Sequence, residues 1–178
     1  MKRQRNIVLF LVKFFATYFI LFVLYSYYLQ KTQDKEGFFS CAPVTAAVAK
    51  QTTGVLNLLG YKASFIQHDK EMSIKLLLNE KYTARVIEGC NSFSIIILFL
   101  AFIVAFPGTL KATILYSIVG SFLIYGINIL RIAFLTVMLY KFPDEQMFLH
   151  NLVFPAIIYG TTFLLWVLWV HKFSNYRK

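Results

Sequence analysis

Apolar runs separated by short polar punctuation divide the chain, at residues 7–29, 91–106, 112–140 and 152–170. A helix needs about 20 apolar residues to cross a hydrocarbon core of about 30 Å. By that measure the first and last runs fit a span, the second is at the short end, and the third is long enough to tilt or to project beyond the surface. The first run ends in Tyr25-Ser26-Tyr27-Tyr28, an interfacial aromatic cluster rather than the small-residue end of a cleaved signal, so it reads as a retained anchor. Lys13 inside it is expected to snorkel toward the basic amino end. Pro107-Gly108 is a turn signal between the second and third runs, and 141–149 is a short polar loop.

Residues 30–89 break this pattern. From Pro43 to Leu59 the chain is small and weakly apolar, with Lys50, Gln51, Thr52, Thr53 and Asn57 interspersed, which suits a surface-lying or partly inserted helix. Gly60 is its expected stop. Ala63–Gln67, Met72–Leu78 and Tyr82–Ile87 are strand-like pieces separated by His68-Asp69-Lys70 and Asn79-Glu80-Lys81. The pattern therefore predicts an α-helical integral membrane protein with one domain over residues 1–178. It has about four transmembrane helices, one surface or partly inserted helix and a small outer antiparallel β meander whose last strand leads to Cys90.

Composition agrees with that class: 58% of the residues are hydrophobic and 18% aromatic, with a mean hydropathy of +0.63, whereas globular domains sit near ~45–50% apolar. The net charge of +10 does not form one basic stripe beside stacking aromatics, so nucleic acid is not an expected partner. Lys2, Arg3, Arg5, Lys111, Lys172, Arg177 and Lys178 instead flank the apolar runs on what the positive-inside rule makes the cytoplasmic side. Both termini are then inside, and residues 30–89 are outside. Cys41 and Cys90 form no C-x-x-C, so neither a dithiol redox motif nor a zinc ribbon is indicated.

Candidate chemistry gathers at the outer ends of three runs. Cys90, in Glu88-Gly89-Cys90-Asn91-Ser92, sits at a predicted helix start with Asn91 or Ser92 as cap, where the helix dipole favours an anionic sulfur. Arg131, in Asn128-Ile129-Leu130-Arg131-Ile132, is costly inside a span, by roughly 2.5–3.5 kcal/mol, and is expected to face the interior or a wet cavity. At ~1.5 Å per residue it stands about 30 Å above Lys111, level with Cys90, and Asn128 shares its face. His150 precedes Asn151, a plausible cap of the last run, and can take a thiol proton near neutral pH. The bland readings are a snorkelling arginine, a wet interfacial histidine and small polar residues that pack helices. Two other classes stay open on these residues: a structural or assembly protein with a Cys41 to Cys90 disulfide, and a small transporter with Asn128 and Arg131 lining a polar path.

A Cys at the start of a span, Asn-x-x-Arg-Ile in the next and a His at the outer start of the last resemble the exosortase and archaeosortase family of membrane cysteine transpeptidases. The resemblance covers residues 43 to 165, includes the helix ending in Leu59-Gly60, and is similar to the compact branch of Bacteroidetes-type bacteria. It implies Cys90 as nucleophile, Arg131 as oxyanion or substrate-positioning residue, His150 as acid/base partner and Asn128 as support, with no metal or organic cofactor. It also implies a multi-pass protein of the bacterial plasma membrane, acting on its extracytoplasmic face. The expected partners are secreted client proteins with a C-terminal motif, transmembrane helix and basic tail, together with membrane lipids and an acceptor amine or lipid. One departure stands out: the common family pattern is Cys-Ser-Gly or Cys-Ala-Gly, and this chain has Cys90-Asn91-Ser92.

Overall fold

The computed structural model describes residues 2–33, 40–106, 108–145 and 152–173. Helix α1 (Lys2–Thr32) leads to α2 (Pro43–Leu58). Strands β1 (Ala63–Gln67), β2 (Ser73–Leu78) and β3 (Lys81–Ile87) follow, then a 3-10 turn, Glu88–Cys90. The chain continues through α3 (Phe93–Ala105), α4 (Leu110–Lys141) and α5 (Phe154–Leu168), and closes with a π-helical turn, Trp169–Phe173. Among the described residues, three helices are long and apolar enough to cross a membrane: Gln4–Thr32, Leu110–Lys141 and Pro155–Phe173. The expected span at 91–106 is represented by the shorter apolar helix Phe93–Ala105.

Local signals set the elements between residues 43 and 87 close to where the sequence pattern puts them. Gly60 has φ +88, and the Gly60 and Tyr61 N–H groups donate to the Asn57 and Leu56 carbonyls at 3.0 and 3.1 Å. That is a Schellman ending, for which glycine at the left-handed position carries no Cβ penalty. Leu78 pairs with Lys81, so Asn79-Glu80 is a two-residue hairpin loop. Both loop residues have positive φ, 51 and 66, as a type I′ turn requires.

The sheet is antiparallel in the order β1-β2-β3. Its central strand buries Ile74 and Leu76, which pack with Val86 of β3, Val48 and Ala49 of α2 and Ile132 of α4. Leu56, Leu78 and Ala133 continue this contact toward the C-terminal end of α4.

The membrane part is built by ring packing. Helix α1 lies against α3 with Phe10 meeting Phe106 at 4.7 Å and Tyr25 meeting Phe93 at 5.6 Å between ring centroids, so the two helices run antiparallel. Below the sheet, Phe99, Ile103, Ile124, Ile158 and Trp169 form a buried cluster shared by α3, α4, α5 and the π-helical turn. Gly120 makes room for the Phe99 ring: a Cβ there would stand 2.3 Å from its Cζ. Glycine at that point is therefore a packing requirement.

Candidate active site

Helix α3 begins at Phe93, with Ser92 at its N-cap position but no capping bond from the Ser92 side chain. The Asn91 side chain does this work from one position earlier: its Oδ1 accepts the Phe93 N–H at 3.1 Å. Of the two expected caps, Asn91 is the one whose side chain bonds the helix end. Ser92 takes φ +66, the left-handed region, and its hydroxyl donates to the Asn91 carbonyl at 2.6 Å. This is the position where the family pattern carries glycine. The serine thus keeps a backbone that glycine adopts freely.

Further polar contacts fasten the same turn. Asn91, 1% exposed, donates from Nδ2 to the Tyr25 hydroxyl at 2.6 Å and to Thr45 Oγ1 at 3.2 Å. The Thr45 hydroxyl in turn donates to the Glu88 carboxylate, and Glu88 Oε1 accepts the Ala42 N–H at 2.7 Å. The carboxylate therefore sits at the start of α2, where unpaired N–H groups and the positive end of the dipole favour an anion. A bond from Asn128 Nδ2 to the Cys90 carbonyl, 2.7 Å long, closes the turn from the α4 side. Buried groups satisfied in this way fix geometry, because each missing partner would cost about 1–3 kcal/mol.

Cys90 and Arg131 line one cavity of about 770 Å³, within the range of ligand pockets. Asn128, Ser92 and Tyr159 line it as well. The half-buried Arg131 shares this cavity with the Cys90 thiol and Tyr159, and both are electrostatic neighbours of its guanidinium. The two ion pairs among the described residues, Lys75–Asp69 and Arg85–Glu71, do not involve Arg131. The structure therefore brings together Cys90, Asn128 and Arg131. His150 and the Asn151 cap lie outside the described residues.

Cys41 differs from Cys90 in its exposure. Both thiols are free, but Cys41 is buried while Cys90 is partly exposed. Burial pushes the Cys41 thiol up from its ordinary value; the Gln67 side-chain bond pulls it partly back, and the Glu88 carboxylate adds to the rise. A buried, protonated thiol is inert.

Sequence reasoning did not single out Tyr25, Thr45 or Glu88. The available signal was a carboxylate two places before the cysteine and a threonine in the first turn of a helix with no side-chain cap of its own, but only their meeting in space gives it meaning.

No curated protein and no solved structure matches the chain. The family model described as transmembrane exosortase matches residues 8–170, which takes in most of α1, the sheet, the Cys90 turn and the Arg131 helix. The chain belongs to the transmembrane exosortase family, whose members are in general cysteine transpeptidases.

Proposed function

We propose that this protein cleaves C-terminal sorting signals of secreted proteins at the outer face of the bacterial plasma membrane, with Cys90 as nucleophile. The observation that carries the reading is that Cys90 and Arg131 line one cavity, while Asn128 holds the Cys90 carbonyl. A planar guanidinium offers several donors in fixed geometry to a carbonyl oxygen that becomes an oxyanion. His150, by the family resemblance, takes the thiol proton as sulfur attacks the carbonyl carbon. It then gives that proton to the amine that leaves when the C–N bond breaks. The thioester passes to water or to an acceptor amine or lipid.

The topology in this reading has four spans with both termini inside, α3 being the second. Its support is the alignment of α3 with α1, whose aromatic contacts run from Phe106 beside Phe10 to Phe93 beside Tyr25. Helix α4, with 32 residues, is about 48 Å long, or about 18 Å more than the hydrocarbon thickness. The excess carries the sheet, and the Cys90 turn falls at the membrane boundary.

Client size and membrane retention, measured in cells expressing matched levels of each variant, test the reading. Cys90→Ala is expected to leave clients full-length and membrane-held, whereas Cys41→Ala continues to process them. Normal processing by Cys90→Ala would remove the cysteine mechanism.

A further inference from the structure

The sheet has two edges, and they are treated differently. At β1, the Asn57 side chain accepts the Ala63 N–H at 2.8 Å and donates to the Ala63 carbonyl at 3.2 Å, which blocks one end of that edge. Strand β3 has β2 as its one strand neighbour among the described residues, and its other side meets the cavity. Successive side chains of a strand point to opposite faces, so a cavity against a sheet face would be lined by every second residue. Lys81, Tyr82, Thr83, Ala84 and Arg85 all line this one. The cavity therefore runs along the edge of β3, where backbone N–H and C=O groups without a ladder partner are found. A bulge at Thr83, the residue skipped between the Leu76–Ala84 and Leu77–Tyr82 pairs, strengthens the local twist of this edge.

Resting on the transpeptidase reading, we propose that the extended segment of a client ahead of its membrane helix adds to β3 as a fourth strand, parallel to it, and so carries the scissile carbonyl to Cys90. Addition of a strand to an open edge recognises backbone first and side chains second. The edge is continuous with the site, since β3 passes through a single 3-10 turn to Cys90.

Two bonds to α4 fix the direction. The hairpin before β3 is tied by Asn79 Nδ2 to the Tyr140 hydroxyl at 3.3 Å, and the turn after it by Cys90 to Asn128 at 2.7 Å. At ~1.5 Å per residue these anchor points lie about 18 Å apart along α4. Strand β3 thus descends from the outer end of α4 toward the membrane. A client that arrives from outside and enters the membrane by its C-terminal helix descends the same way.

Disulfide trapping tests both the strand and its direction. The probe is a reporter protein fused to a client's C-terminal motif, helix and basic tail, with single cysteines walked through the residues ahead of the helix. The enzyme carries Cys41→Ala, Cys90→Ala and a cysteine at either Arg85 or Ile87, two exposed lining residues two places apart. Moving the enzyme cysteine from Arg85 to Ile87 is expected to move the best-trapped client position by two residues toward the client's C-terminus.

A shift in the other direction, a position that does not move, or no trapping at either site would each overturn the proposal. A parallel trap with Cys90 kept and Arg85 and Ile87 unchanged separates the two ideas. Capture of the client by Cys90, without capture from β3, leaves the cysteine mechanism standing and removes the fourth strand. If Cys90 captures nothing and Cys90→Ala still processes clients, the transpeptidase reading fails first and takes the strand proposal with it.

Discussion

Around Asn91 the chain is fixed by directed bonds from distant elements: Tyr25 from α1, Thr45 from α2, and Asn128 from α4 to the neighbouring Cys90 carbonyl. Around Phe99 the same kinds of helices are held by shape, with Ile103, Ile124, Ile158 and Trp169 buried against one another. Phe102 stacks on Trp166 at 4.4 Å in the same layer, and there a polar tie such as Tyr116 to the Leu165 carbonyl at 2.7 Å is peripheral. Lipid offers helices no hydrophobic drive to associate, so the lower layer depends on close packing. In the proposed mechanism the upper layer holds one sulfur, one guanidinium and a backbone turn in a fixed relation, which packing alone does not specify. Changes above should therefore act on chemistry, and changes below on the amount of folded protein.

The sharpest test of that division is Arg131→Lys. Lysine keeps the charge but not the planar donors, and if Arg131 is the oxyanion donor of the proposed mechanism, its loss costs roughly 10²–10³ in rate. Processing by folded enzyme is expected to fall at least about 100-fold, while detergent-solubilised protein melts as wild type does. Near-normal processing would reduce Arg131 to a generic cation.

Gly120→Ala should do the reverse. A Cβ at 2.3 Å from Phe99 Cζ and 2.6 Å from Cε1 must displace a ring that is wholly buried, an overpacking cost of typically 1–3 kcal/mol. Thermal unfolding in detergent is expected to come earlier, with processing per folded molecule unchanged. Altered activity in the folded fraction would mean that the two layers are coupled through α4.

Asn128→Leu lies on the border between the layers. It leaves the part-buried Cys90 carbonyl without its 2.7 Å partner, at a cost of up to about 1–3 kcal/mol, the value for a fully buried acceptor. If Asn128 serves to place the Cys90 turn, kcat should fall roughly 10-fold, the equivalent of ~1.4 kcal/mol, with KM little changed. A loss confined to thermal stability would assign Asn128 to the packing layer instead.

How much of this was legible beforehand follows the same line. The strand pieces, the turn expected at Asn79-Glu80-Lys81, of which Lys81 opens β3, and the stop at Gly60 are local signals of one turn or one strand, and the residues carry them by themselves. The long apolar helices are equally local, since hydropathy over a window decides them. Arg131 and Asn128 could be placed beside Cys90 because the helical rise gives depth along α4. The Glu88–Thr45–Asn91–Tyr25 chain joins three elements far apart in sequence, and no spacing in the chain encodes which of many polar residues will meet. The left-handed backbone at Ser92 was signalled only by the glycine that the family pattern carries at that position, since serine itself does not announce it.

That backbone supports the smallest effect and the most local one. Ser92 is 3% exposed with φ +66, a conformation that costs a side-chain-bearing residue of order 1 kcal/mol and glycine little. Its hydroxyl bonds the Asn91 carbonyl next to it, which offsets part of the strain. Ser92→Gly restores the glycine of the family's Cys-x-Gly pattern, relieving the strain but losing that bond and making the unfolded chain more entropic. The net expectation is a stabilisation of up to about 1 kcal/mol, with kcat within about 2-fold of wild type because a 1.4 kcal/mol change in the barrier would already be tenfold. Thermal unfolding beside client processing reads both quantities. A clear loss of stability would show that the Ser92 hydroxyl outweighs the strained φ, and a large change in processing at constant stability would put Ser92 among the groups that aim the Cys90 sulfur.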